Sequence, residues 1–209
     1  MRQFVLTITV LVVAAGTSPC DAQKAHELSG SRTTGIPLVN FSSDDGTGYG
    51  LRVNHFEYDG TSVPYRRKYS AQAFITTGGK WVHRLLVDAP QFWPGQRLEA
   101  ELVYQKEDFA NYYGNLSDEE ADSYSKDQKT FRQAFPEFRI KWIGALRLPW
   151  RVRVGGRLSR NDITPNSSTG SVLADLAPLG ADGGFFAQVH GSLRYDSRDN
   201  YNNATSGVL

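Results

Sequence analysis

Glu137-Phe138-Arg139-Ile140-Lys141-Trp142-Ile143-Gly144-Ala145-Leu146-Arg147-Leu148, followed after Pro149-Trp150 by Arg151-Val152-Arg153-Val154-Gly155-Gly156-Arg157-Leu158-Ser159, is the stretch that decides the fold. In the first run the even positions carry Phe138, Ile140, Trp142, Gly144, Leu146 and Leu148, whereas the odd ones include Glu137, Arg139, Lys141 and Arg147. In the second, Val152, Val154 and Leu158 oppose Arg151, Arg153 and Arg157. Side chains of an extended strand point alternately to its two sides, so each run predicts a strand with one apolar and one charged face. So much charge on one face predicts that it meets water instead of a protein core.

The same alternation recurs outward from this hairpin. Leu98, Ala100, Leu102 and Tyr104 alternate with Arg97, Glu99, Glu101, Gln105 and Glu107. Phe185, Ala187, Val189, Gly191, Leu193 and Tyr195 alternate with Gln188, His190, Ser192, Arg194, Asp196 and Arg198, and Tyr65, Tyr69, Ala71, Ala73 and Ile75 with Arg66, Lys68, Ser70 and Gln72. Ile143 and Val103 fall on the polar parity, and His55 and Glu57 on the apolar one. About ten residues of such alternation suffice for a tilted strand to cross a bilayer. A soluble antiparallel sandwich also alternates. Aromatic residues near the strand ends and connections of unequal length favour an all-β, antiparallel transmembrane β-barrel with roughly eight strands present. In the 209 residues no stretch after the first few tens is continuously apolar, which predicts no transmembrane helix. The mean hydropathy of −0.43 does not count against a barrel, whose membrane signal lies in alternation.

The amino terminus reads as an address. Met1-Arg2 is positive, Phe4 to Ala15 is apolar but too short to span, and Cys20-Asp21-Ala22 places small residues at a cleavage site, so residues 1–22 are expected to be a secretory signal peptide. A short periplasmic lead, 23–35, and a barrel portion, 36–209, follow. Pro19 before Cys20 matches lipoprotein processing poorly, and Cys20 is the chain's single cysteine, so cleavage after Ala22 leaves no thiol for a disulfide or zinc site. The net charge of +1 shows no bias toward nucleic acid, and the arginines sit on strand faces instead of forming a basic block.

Connection lengths predict topology. Phe109 to Phe135 and Asn161 to Gly183 are long and polar, with only the turn at Pro149-Trp150 between them. Long connections belong outside and short turns in the periplasm. Counting from there puts Thr77-Gly78-Gly79 and Asp44-Asp45-Gly46 outside, Phe92-Trp93-Pro94-Gly95 and Asp59 to Pro64 inside, and a first strand near Ile36 to Ser43. If Leu148 and Val152 pair on one face, the turn between them is Pro149-Trp150-Arg151, with proline out of the ladder.

Chemical motifs are sparse. His26, His55, His83 and His190 have no metal-like spacing, no Gly-x-Ser-x-Gly elbow or phosphate loop occurs, and Glu99 and Glu101 beside Arg97 read as a solvated charge ladder before an acid–base pair. No catalytic residue, metal or cofactor is expected. The sequons at Asn40, Asn115, Asn166 and Asn203 carry little weight in a Gram-negative cell.

Leu193-Arg194-Tyr195-Asp196-Ser197-Arg198-Asp199-Asn200, followed by Thr205-Ser206-Gly207, resembles the Tyr-Asp-x-Arg-Asp-Asn…Pro-x-x-Gly segment of the bacterial surface antigen barrels, the BamA/TamA superfamily. Ile36-Pro37-Leu38, Asp44-Asp45-Gly46-Thr47-Gly48-Tyr49-Gly50-Leu51 and Leu86-Val87-Asp88-Ala89-Pro90-Gln91-Phe92 are similar to that family's early strands. The resemblance makes Tyr195, Asp196, Arg198, Asp199 and Gly207 motif residues near the periplasmic rim. It also implies a larger barrel of about sixteen strands, of which this chain would supply the amino-terminal part without periplasmic POTRA-type domains. Ala204 stands where the family often has proline, and the family's inward-loop Arg-Gly-Phe-type motif and aromatic terminal signal are missing.

Three functions follow as expectations. The resemblance implies insertion or translocation of client proteins or lipids at the outer membrane. A passive pore or small structural barrel is the alternative, and an outer-membrane hydrolase, which needs a Ser/His pair near the external rim, is the third. Outer-membrane lipid is the expected partner in each, and nucleic acid in none.

Overall fold

The computed structural model describes residues 29–147, 149–168, 170–199 and 205–208. The expected signal peptide, His26, most of the lead, Leu148, Asn200, Asn203 and Ala204 lie outside these residues. Eight strands form one antiparallel sheet in sequence order: β1 (Ser29–Ser42), β2 (Gly46–Asp59), β3 (Arg67–Thr76), β4 (Lys80–Trp93), β5 (Gln96–Asn111), β6 (Thr130–Arg147), β7 (Trp150–Pro165) and β8 (Gly184–Tyr195). Each strand pairs with its sequence neighbours, and the sheet stays open, with β1 and β8 as its edges. Three short helices, α1 (Asp118–Asp122), α2 (Lys126–Lys129) and α3 (Val172–Leu176), lie in the two long connections. Among the described residues no helix is long and apolar enough to cross a membrane, which says nothing about strands.

The alternation sets which way the sheet curls. A single cavity of about 230 Å³ is lined by Val63 and Pro64 of the β2–β3 turn, Arg97 of β5, Ile143 of β6, Arg151 of β7 and Asp199 beyond β8. Residues so far apart along the strand order line one space only if the sheet curves around its charged face. That face is therefore inner, and the apolar face is outer.

Several boundaries differ from the sequence reading. β1 begins at Ser29, so the segment expected as a lead is already extended where it is described. The strands range from 10 residues in β3 to 18 in β6, and β5, β6 and β7 carry ladder pairing into stretches read as loop, such as Asn111 with Thr130 and Arg132 with Thr164. Polar strand residues beyond the apolar band still pair, because backbone hydrogen bonding does not depend on which face the side chains prefer. At the β6–β7 hairpin, Val152 pairs with Gly144, not Leu148, and Arg147 pairs with Trp150 across an irregularity between Ala145 and Arg147. Gly144 lies four residues from Leu148, an even shift, so the face parity of the strands survives while the turn moves back, and Trp150 opens β7. Pro149 stays in the turn.

Candidate functional site

The outer face is a continuous apolar surface. Val53, Ala71, Leu85, Leu102, Phe138, Leu158 and Ala187 are successive cross-strand partners from β2 to β8. Leu85 is 55% exposed, Leu102 50% and Leu158 47%. At the short-turn end Trp93, Trp150 and Tyr195 are exposed on this surface, and Trp150 meets Tyr195 edge-on at 5.5 Å. Toward the opposite end stand Tyr49, Trp81 and Tyr104, with Tyr104 stacked on His83 at 6.2 Å and Lys106 over the Trp81 ring at 4.7 Å. His55 and Glu57, polar residues on the apolar parity, sit low on β2, where Thr33 Oγ1 hydrogen-bonds His55 Nδ1 at 2.9 Å and Arg67 pairs with Glu57 at 3.8 Å.

Burial on the inner face is inverted. Asp88 is 3% exposed and Glu137 6%, as deep as the apolar Val103 and Ile143 on the same parity. The charges are joined in two chains. In one, the Tyr65 hydroxyl donates to Asp88 at 2.6 Å, Arg97 holds both Asp88 oxygens at 2.9 and 2.8 Å and reaches Glu99 at 2.9 Å, and Lys141 pairs with Glu99. In the other, Arg84 and Arg139 share Glu101 at 3.2 and 3.3 Å, and Arg139 and Arg157 share Glu137. A buried carboxylate needs such a partner, because desolvation penalises the charge and the forked guanidinium offsets that cost. Glu99 and Glu101 thus belong to a paired ladder.

Tyr65 does not join the outer face as its parity suggested. It precedes β3, where the chain is not yet in the ladder, and its hydroxyl turns inward to Asp88. Burial, then the neighbouring Asp88 carboxylate, pushes that phenol well above its ordinary value. Tyr65 thereby anchors the β2–β3 connection to β4 and β5. The other end of that connection is fixed by the Asp59 carboxylate, which accepts from the backbone N–H groups of Ser62 at 2.7 Å and Thr61 at 3.0 Å and is held well below the ordinary carboxylate range by them.

The motif residues gather at the short-turn end of β8. Tyr195 points outward beside Trp150, while Asp196, 3% exposed, donates its N–H to Pro149 O at 2.8 Å and takes both Nε and Nη2 of Arg198 at 2.8 and 2.9 Å. The Arg198 hydrogen bonds hold the Asp196 carboxyl down at about 2. The Asp199 carboxylate accepts from the N–H groups of Thr205 at 3.0 Å and Ser206 at 3.2 Å and from the Thr205 hydroxyl. Ser197 N–H donates to Val208 O at 3.0 Å and Asp199 N–H to Ser206 O at 3.2 Å, so the chain returns antiparallel to itself. Gly207, at φ 98°, lies where an added Cβ would stand 2.6 Å from Arg198 Cα, and only glycine suits both constraints. Asp196, Arg198, Asp199 and Gly207 thus fold the chain back on itself as a clasp, with Tyr195 outside it.

The opposite rim was not foreseen. Asn166, just past β7, donates its side-chain amide to Asp108 O at 2.8 Å and Thr130 Oγ1 at 3.0 Å, while its N–H donates to Thr130 O at 3.2 Å. These bonds lock the two long connections together over a small core of Ala121, Val172 and Leu173. Ser117 and Glu120 form a capping box at the start of α1, and the Ser117 N–H and hydroxyl hold the Glu120 carboxyl below its usual range. The Ser-x-x-Glu spacing was the available signal for that helix. Nothing local signals the Asn166 contacts.

Among the described residues no three His, Cys, Asp or Glu side chains converge as a metal site. His55 and His83 pair outward with Tyr69 and Tyr104, and His190 lies on the inner face against Gly155. No family model matches the chain, and no curated protein matches it either.

Proposed function

We propose that this chain forms the wall of an outer-membrane β-barrel of the bacterial surface antigen (BamA/TamA-like) type, acting in insertion or translocation of proteins or lipids at that membrane. The observation that carries the membrane part is the inverted burial: leucines and valines face outward while aspartate and glutamate are enclosed. A soluble monomer rarely exposes a contiguous apolar patch beyond about 600 Å². A row running across the sheet from β2 to β8 has a natural counterpart in lipid, with aromatic girdles at the two interfaces.

In that setting the long connections with their helices are extracellular, and the Tyr195–Gly207 clasp is periplasmic. Lipid does not tolerate the unpaired groups of an open edge, so β1 and β8 find strand partners when the barrel closes. The machine-type role rests on the resemblance of the Tyr195–Gly207 segment. The passive-pore reading is favoured by the charged inner wall, which suits a polar lumen.

Expression in a Gram-negative cell, fractionation and amino-terminal sequencing test the address. The expected product starts at Gln23 and sediments with outer membranes, whereas a cytosolic product retaining Met1 would remove the reading. Conductance of the purified protein in planar bilayers separates the two roles, since a passive pore gives steady open channels.

A further inference from the structure

On β4, β5 and β6 the inner carboxylates Asp88, Glu99, Glu101 and Glu137 are each paired with an arginine or lysine, but the balance changes on β7 and β8. Arg151 and Arg153 point inward from β7, two residues apart and thus about 7 Å apart along one face. Arg194 on β8 lies directly opposite Arg151 and brings a third guanidinium to this stretch of the inner face. Their partners on β6 are Ala145 and Ile143, which bring no charge. Neither Arg151 nor Arg153 makes an ion pair or hydrogen bond among the described residues, and the Nε of each is enclosed and unpartnered. Two carboxylates are nearby: Asp196, already held by Arg198 on both oxygens, and Asp199, which is engaged by Thr205 and Ser206. Arg151 also lines the inner cavity of about 230 Å³, with Asp199 and Arg97.

We propose that Arg151 and Arg153, with Arg194 across the strand pairing, form an inner-face binding site for a phosphate-bearing anion. Planar guanidinium forks bind phosphate oxygens in pairs, and a curved wall with low-dielectric backing concentrates their field. Rings of arginine serve the same end in anion-selective pores. Arg157, on the same face of β7, is committed to Glu137 and is not part of the site.

The test is calorimetric titration of the full chain in detergent micelles with inorganic pyrophosphate, and in parallel with phosphatidylglycerol bicelles. Saturable binding that R151Q/R153Q weakens at least tenfold and R157Q changes less than twofold is the expected result. The arm showing binding identifies a free phosphate or a lipid headgroup as the source. Should the double variant lose its β-sheet circular dichroism, R153K, which keeps the charge but loses the fork, is expected to bind several-fold more weakly. No saturable binding in either arm, or variants that bind like the wild type, would overturn the site. The inner face is open to solute in detergent whatever surrounds the outer face. Failure of the wild type to enter vesicles would therefore count against the membrane reading and leave this one standing.

Discussion

Arg153 and Val154 are neighbours on β7, yet they turn to two different surroundings. Arg153 turns into the charged wall beside buried Ile143, whereas Val154 is 45% exposed between Trp142 and Gly191. The same contrast repeats in Glu137 against Phe138 and in Asp88 against Val87. In a water-soluble sheet the more buried parity is the more apolar one, and here it is the more charged. The charged parity is thus held by a network of ion pairs, and the apolar parity is the one this chain leaves uncovered.

The comparison can be broken most severely from inside. Glu137→Ala removes the carboxylate that Arg139 and Arg157 share and leaves two guanidinium groups facing each other. A cost of about 3–4 kcal/mol is expected, at the low end for a buried pair because both arginines are half-exposed. Urea titration of the vesicle-folded protein reads it. Val154→Arg attacks the other face and should cost roughly 2–4 kcal/mol in the same titration, if it lies near mid-bilayer. Arg153→Ala should cost well under half of that, and equal costs would mean that the two faces are not in different media.

Asp196→Asn sharpens the contrast at the rim, where burial and charge meet without lipid. Losing a charge-assisted fork to Arg198 is expected to cost about 1–3 kcal/mol. The sign of the pH dependence follows from the depressed carboxyl. Its contribution is fully present above the ordinary aspartate value of about 3.9 and disappears as pH falls through about 2. A variant that shows the same acid titration as the wild type would remove Asp196 from that role. The smallest effect is at the far rim. Asn166→Ala should loosen the two long connections by about 1 kcal/mol, seen as faster amide exchange around Thr130 with the sheet unchanged.

Much of this contrast was legible in the sequence, because a period of two survives any register. Phe138, Ile140, Val154 and Leu158 face outward, and Arg139, Lys141, Arg153 and Arg157 inward, as their parity predicts. Even Val103 and Ile143 keep their parity. They are buried inside, next to Glu137 and Arg97, where a small apolar side chain fills space between charged ones. Register was less legible: Val152 pairs with Gly144 instead of Leu148, and an even shift of four leaves no mark in an alternating pattern. Strand length was hidden too, because the ends of β5, β6 and β7 are polar on both faces. The Asp196–Arg198 fork joins residues two apart that the resemblance had singled out, whereas Tyr65 with Asp88 and Asn166 with Thr130 join residues far apart along the chain, and no local signal announces them.

Lipid at the outer face is tested most directly by site-directed spin labelling along β7. Single cysteines placed one at a time from position 151 to 158 in a C20S background, labelled with nitroxide and folded into phosphatidylcholine vesicles, report access to oxygen and to a water-soluble nickel chelate. Positions 152, 154 and 158 should be reached by oxygen and shielded from nickel, with 151, 153 and 157 showing less oxygen and more nickel, in strict alternation. Nickel reaching both parities equally would contradict a membrane at the outer face.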